Sequence, residues 1–273
     1  MNEETISPGQ QAHIFRNIYR EILTRGKTHS PRGLKTLEIE NFSFTLPPYV
    51  RFTNFRSRKM NLDYIKKEIL WYLKGELTDL SICEHAKIWQ NIIVDGALNS
   101  NYGHYIFKTG GMDWVVEELS RDKDSRRAVI PILGAYHLKS STKDVPCTYA
   151  ISFRIRDNKL NISVRLRSND AIFGVTNDLP AFSLFQEIAL CYLQQTYPEL
   201  KCGEYHHGAD SFHVYERHFD MLKKLAAYNP VDPYKEVYCP RISSIKEIEF
   251  LRKGEFGFVP QEYLLTHWLL DNS

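Results

Sequence analysis

The 273-residue chain is poor in cysteine, with five, and none of them forms a C-x-x-C pair. Cys83, Cys147, Cys191, Cys202 and Cys239 are odd in number and irregular in spacing. That speaks against a disulfide framework or a zinc site. At least one thiol is free in a monomer, and all are free in a reducing compartment. The chain also lacks an excess of either charge: 35 Lys and Arg face 33 Asp and Glu, a formal net charge of +2. General attraction to a polyanion, and direct nucleic-acid binding with it, has no support, so any anion site must be local. No apolar run approaches the length of a membrane span. The opening residues MNEETISPGQ hold no basic stretch followed by an apolar one, so no signal peptide is expected and the expected location is cytoplasmic. No repeat, low-complexity tract or linker interrupts the chain, which reads as one domain over residues 1–273.

Against these absences stands an apolar fraction of 43%, enough for a sizeable core. Gln11–Thr24 carries Ile14, Ile18 and Ile22 at helical spacing. Leu62–Leu73 carries Ile65, Ile69, Leu70 and Leu73 in the same way, and Leu80–Ile93 reads as a further helix. Arg127–Leu133 reads as a strand. Tyr149–Arg156 and Leu160–Arg167 alternate on either side of Asp157–Asn158–Lys159, which reads as a hairpin. Leu179–Tyr197 is apolar on most faces, as a core helix is, and Trp71 and Tyr72 read as core. His213–Tyr228 reads as an amphipathic helix, and residues beyond 221 carry no motif. Strands and helices without regular βαβ alternation predict an α+β class, a mixed or antiparallel sheet covered by helices.

Cys147 has unusual neighbours. Pro146 fixes the backbone before it and an alternating run follows it. Arg126 and Arg127 lie one strand upstream, and Arg167 lies at the far end of the hairpin. Nearby cations favour a thiolate, and arginines suit a phosphate-bearing substrate. The competing readings are a small buried core cysteine and a solvated strand end. His206 and His207 lack a third ligand at metal spacing, so no metal site is expected. The other four cysteines read as packing residues.

Several pieces, in order, resemble the thymidylate synthase superfamily: KKEILWYLKG (66–75), IW (88–89), NYG (101–103), DSRRAVI (124–130), VPC (145–147), FRIRDNKLNISVRLRSNDAIFG (153–174) and DSFHVY (210–215). Order and spacing fit that family across about residues 11–220. The resemblance implies that fold, with a sheet face used for homodimerisation, and a nucleotide monophosphate substrate. It implies that Cys147 is the nucleophile for C6 of a pyrimidine, and that Arg126, Arg127, Arg167 and Ser168 bind the phosphate. Arg126 and Arg127 would reach into the partner's site. Arg32, in a loop that aligns less cleanly, would be a further phosphate arginine. Glu68 would organise water and proton transfers; taken alone it reads as a solvent-facing helix residue. Tyr102 would belong to the proton network, and His213 and Tyr215 would hold the sugar 3′-hydroxyl. Trp89, Asp170 and Gly174 would line the site for methylenetetrahydrofolate, the co-substrate.

One departure bears on the substrate. Where thymidylate synthases end RSNDAIFGVTND-like segments in an asparagine that reads uracil, this chain has Asp178 in the ungapped alignment, with Asn177 one residue earlier. Uracil offers an N3–H donor and an O4 acceptor, cytosine the reverse. A carboxyl can accept from N4–H and, when protonated, donate to N3. The competing reading is that Asp178 caps a helix starting at Leu179. The TND–LPAFS pattern resembles the deoxycytidylate hydroxymethylases of T-even-type bacteriophages, which implies work in a host cytoplasm. Ile92 stands where many thymidylate synthases carry a tryptophan, and THWLLDNS is not their closing tail. Both changes loosen the shelter that hydride transfer needs.

The expected activity is conversion of dCMP to 5-hydroxymethyl-dCMP. Rival expectations are a dUMP hydroxymethylase, a thymidylate synthase, a CMP hydroxymethylase, and a nucleotide-binding module without catalysis.

Overall fold

The computed structural model describes residues 6–55, 58, 60–139, 142–227 and 237–271. Helix α1 (Pro8–Arg25) opens on a capping box: Ser7 Oγ accepts from the Gln10 amide, and the Gln10 side chain accepts from the Ser7 amide. It buries Phe15, Ile18, Tyr19 and Ile22. Strands β1 (Lys27–His29) and β2 (Thr36–Leu46) follow. Helix α2 (Leu62–Lys74) is capped by Asn61 and stopped by Gly75 in the left-handed conformation. Trp71 and Tyr72 are buried on it, as expected.

The expected helix over Leu80–Ile93 does not form. It breaks into short turns, Ser81–Glu84 and α3 (Lys87–Gln90), because Ala86 is extended between them (φ −150°, ψ 118°). The break turns the chain so that the Trp89 ring comes back onto Trp71, 5.2 Å between centroids.

Helix α4 (Gly111–Arg121) leads to β3 (Val129–Pro131), a shorter strand than Arg127–Leu133 suggested. Strands β4 (Thr148–Arg156) and β5 (Lys159–Asp170) form the expected hairpin. Asp157 and Asn158 turn it, both left-handed at φ 49° and 56°, as a two-residue turn between twisted strands requires. After α5 (Gly174–Leu193) comes β6 (Lys201–Tyr215), then α6 (Phe219–Ala226), α7 (Ile245–Lys253) and α8 (Leu264–Leu270).

The six strands run in the order β1-β2-β6-β5-β4-β3. Neighbours are antiparallel except β5 and β6, whose parallel pairing needs the crossover that α5 supplies. The fold is therefore mixed α+β. Ile151, Phe153, Ile155, Leu160, Ile162, Val164 and Leu166 are buried at alternate positions on β4 and β5. The intervening Ser152, Arg154, Asn161 and Arg165 are half-buried or exposed. Buried Gln186 of α5 donates to the carbonyls of Leu160 and Gly203 at 2.7 and 3.1 Å, beside the irregularity in β5–β6 pairing. That satisfies backbone groups a bulge leaves unpaired.

Two expected elements differ. His213–Tyr228 is not one helix. His213 and Tyr215 pair with Glu38 and Thr36 on β2, so the strand edge captures this backbone, and helix starts only at Phe219. Tyr228 lies outside the described residues. The core helix starts at Gly174 rather than Leu179, and Pro180, which would suit a first turn, sits inside it.

The C-terminal segment has a structural role. Glu247 of α7 is fully buried and accepts from the amides of Ser243 and Thr266 at 2.7 and 2.9 Å, which ties α7 to α8. Lys66 of α2 donates to the Asp271 carbonyl at 2.7 Å and lies 5.0 Å over the Trp268 ring. The end of the chain thus buttresses α2. Asn272 and Ser273 lie outside the described residues. Among the described residues, no helix is long and apolar enough to cross a membrane, and no cluster of three or more His, Cys, Asp or Glu could hold a metal.

Candidate active site

Cys147 sits at the mouth of β4, half-buried. Arg167 on the paired strand grips its loop. The Arg167 amide donates to the Cys147 carbonyl at 2.8 Å, Nε to the Pro146 carbonyl at 3.1 Å and Nη2 to the Val145 carbonyl at 2.7 Å. Buried Asp144 braces the loop from the other side by accepting from the Ser100 amide at 2.9 Å. Burial pushes the Cys147 thiol up; Arg167 is the largest opposing influence, and Arg32 is a weaker one. The expectation that arginines alone would favour a thiolate is therefore corrected: burial outweighs them. Arg126 and Arg127 are both exposed, and Arg127 lies 5.4 Å over the Trp114 ring. Arg32 is exposed and left-handed at φ 53°.

Glu68 projects from α2 and is 3% exposed, against the reading of a solvent-facing residue. The Tyr64 hydroxyl, one turn earlier, donates to Glu68 Oε1 at 2.5 Å, and the Trp89 indole N–H donates to that hydroxyl at 3.1 Å. Glu68 Oε2 is buried and meets no partner among the described residues. Burial, then the charge of Asp178, pushes Glu68 up to about 8, and the Tyr64 hydrogen bond pulls it back. A carboxyl poised there can hold a proton or take one near neutral pH.

Asp178 is not a helix cap. It lies inside α5, four residues past its start, and Asn169 Nδ2 donates to its Oδ2 at 2.7 Å. Burial pushes it up to about 7, the Asn169 bond opposing and the charge of Asp170 adding. Its charge acts on Glu68, Cys147 and Tyr102, so α2, the loop entering β4, α5 and the turn at Tyr102 bring these four groups to one place. Tyr102 is buried, stacked on Tyr72 at 5.4 Å and 7° and near Phe182 at 5.9 Å. Gly103 makes that stack possible, because any Cβ there would strike the Tyr72 carbonyl.

Ser168 pairs with Ser211 across β5 and β6, and Asp170 with His213. His213 is buried and meets the Tyr215 ring edge to face at 5.0 Å. Asp170 Oδ1 accepts from the amides of Ile172 and Phe173 at 2.8 and 2.7 Å, which holds the start of α5. Trp89 is half-buried. Beside Asp170, buried Arg58 lies 4.5 Å over the Phe173 ring, and its Nε and Nη1 meet no partner among the described residues. Two guanidinium nitrogens without partners among the described residues suit an anionic co-substrate.

Three residues here escaped sequence reasoning: Tyr64, Asn169 and Arg58. Tyr64 stands four residues before Glu68, a spacing that puts both on one helix face. Asn169 lies within the quoted RSND piece, but its contact exists only once α5 folds back on β5. Arg58 lies outside every quoted motif. As for the remaining thiols, Cys83 and Cys202 are buried, and Cys191 and Cys239 are half-buried. His207 is buried and stacks on Phe44 at 4.7 Å, while His206 meets Thr45 Oγ1 at 3.0 Å.

A family model described as thymidylate synthase matches residues 13–252. The deoxycytidylate 5-hydroxymethyltransferases of Enterobacteria phages T4 and T6 are each 33% identical over 201 residues, covering 70% of this chain and 80% of theirs. The deoxyuridylate hydroxymethyltransferase of Bacillus phage SP01 is 28% identical over 229 residues, covering 77% of this chain and 58% of its own.

Proposed function

The chain belongs to the thymidylate synthase family, and from that premise we propose that it is a one-carbon transferase converting dCMP and water to 5-hydroxymethyl-dCMP, with methylenetetrahydrofolate as donor. The observation that carries the reading is Asp178, a carboxyl inside α5 with no capping duty and held up to about 7. The likeness to the phage deoxycytidylate enzymes supports it.

In this reading Arg167, Ser168 and Arg32 hold the nucleotide phosphate, joined by Arg126 and Arg127 of a second protomer packed sheet to sheet. The exposure of Arg126 and Arg127 supports that arrangement. His213 and Tyr215 hold the sugar 3′-hydroxyl. The Cys147 thiol gives up its proton and adds to C6, which makes C5 enamine-like. Asp178 accepts from N4–H and supplies a proton to N3, which becomes basic as C6 is attacked. Bound methylenetetrahydrofolate supplies a carbon at the methylene level. Trp89, Asp170 and Gly174 would hold it, with Arg58 on its anionic side. Once C5 carries that carbon, has lost its own proton, and the bond from the carbon to the folate nitrogen has broken to release tetrahydrofolate, an exocyclic methylene remains. Glu68, oriented by Tyr64, takes a proton from water, whose oxygen adds to the methylene. Loss of the Cys147 thiolate from C6, with the N3 proton returned to Asp178, restores the ring.

The test is to incubate the protein with methylenetetrahydrofolate and dCMP, dUMP or CMP and to identify the product by mass spectrometry. Hydroxymethyl-dCMP from dCMP is expected. Hydroxymethyl-dUMP, the outcome the SP01 relative favours, or thymidylate with dihydrofolate, would overturn the substrate reading but leave Cys147 in place. Hydroxymethyl-CMP alone would move the reading to a ribonucleotide. Binding without any turnover would make the chain a nucleotide-binding module.

A further inference from the structure

Asn169 has no part in the mechanism above, yet it is the residue that grips Asp178. It is 5% exposed near the end of β5, donates from Nδ2 to Asp178 Oδ2 at 2.7 Å, and leaves its own Oδ1 without a partner among the described residues. A Cβ at Gly174 would stand 2.9 Å from Nδ2 and 3.3 Å from the amide carbon. Glycine at 174 therefore makes the seat for this amide. We infer that Asn169, seated against Gly174, is a positioning residue that makes Asp178 read cytosine rather than uracil, by fixing which carboxyl oxygen carries the proton. The inference rests on the dCMP reading.

A protonated carboxyl is ambiguous. With the proton on the oxygen facing N3, it donates to N3 and accepts from N4–H, as cytosine needs. With the proton on the other oxygen, it accepts from N3–H and donates to O4, as uracil needs. Nothing in the carboxyl itself breaks the tie. An oxygen that already accepts an N–H bond is the poorer place for a proton. Asn169 thus keeps Oδ2 an acceptor and sends the proton to Oδ1. With Oδ2 on the exocyclic side, Oδ2 accepts from N4–H through its remaining lone pair and Oδ1–H meets N3. Uracil then faces its O4 with an acceptor and its N3–H with a donor, two repulsive contacts.

The test is the ratio of kcat/KM for dCMP over dUMP in the parent protein, in Asn169→Ala and in Asn169→Asp. Both variants are expected to lower the ratio about tenfold or more, partly by raising turnover of dUMP, a gain that general damage does not produce. The KM for methylenetetrahydrofolate stays where it was. In an Asp178→Asn background the Asn169→Ala change leaves the ratio unmoved. If Asn169→Ala does not fold, Asn169→Ser, whose hydroxyl is too short to reach Asp178, is read the same way. A parent selective for dCMP with an unchanged ratio in the variants overturns this inference alone. A parent that prefers dUMP overturns the dCMP reading and this inference with it.

Discussion

The Tyr64 hydroxyl donates to Glu68 Oε1 at 2.5 Å, one helical turn away on α2, and itself receives the Trp89 indole N–H. This relay leaves Glu68 Oε2 buried with no partner among the described residues. Replacing the phenol should therefore act on proton transfer. Tyr64→Phe removes a donor that pulls Glu68 down, so its carboxyl rises beyond about 8. If ionised Glu68 takes the proton from water, activity rises with pH through that value, and the rising limb moves to higher pH in the variant. At pH 7.5 kcat should fall about tenfold with little change in the KM for nucleotide. A pH–rate profile of both proteins checks this, and coincident rising limbs would contradict it.

Arg126 and Arg127 are exposed, while Arg167 and Arg32 are arginines that act on the Cys147 thiol of their own chain. In a dimer with shared sites, protein carrying Arg126→Ala and Arg127→Ala together is inactive, as is Cys147→Ser protein. Mixing the two under exchange should restore about a quarter of parental activity, because half the dimers are mixed and each holds one complete site. No recovery after demonstrated subunit exchange would place the two arginines in their own protomer's site.

Gly103 packs its backbone against the Tyr72 carbonyl, which lets Tyr102 stack on Tyr72. A methyl group there cannot be absorbed by a flexible side chain, since the obstacle is backbone. Gly103→Ala should cost about 3 kcal/mol of stability. Thermal unfolding checks it, and a variant as stable as the parent would show that this crossing can relax.

Local periodicity made α1, α2 and the β4–β5 hairpin legible, because each has its own caps, turn residues and apolar pattern. The elements that were misread depend on distant partners. His213 and Tyr215 sit at the end of β6 because β2 offers them pairing, which no local pattern announces. The start of α5 is set by the Asp170 carboxylate, which the apolar run beginning at Leu179 does not announce. The same error made Asp178 look like a cap. Cys147 stood out by its neighbours, Glu68 and Asp178 through the family resemblance, and the structure brings them together. Tyr64 and Asn169 touch Glu68 and Asp178; Tyr64 precedes the quoted pieces and Asn169 lies unremarked within one, so only geometry singles them out.

The account turns on Asp178, and the most direct measurement is kcat/KM for dCMP and for dUMP in the parent and in Asp178→Asn. A carboxyl held up to about 7 carries its proton below that pH, so parental kcat/KM for dCMP falls as pH rises through it. An amide cannot give N3 a proton. Asp178→Asn should lose about 100-fold or more on dCMP, lose that falling limb, and gain on dUMP. Equal loss on both nucleotides, or dCMP turnover that survives the change, would contradict the assignment of Asp178 as the residue that reads the base.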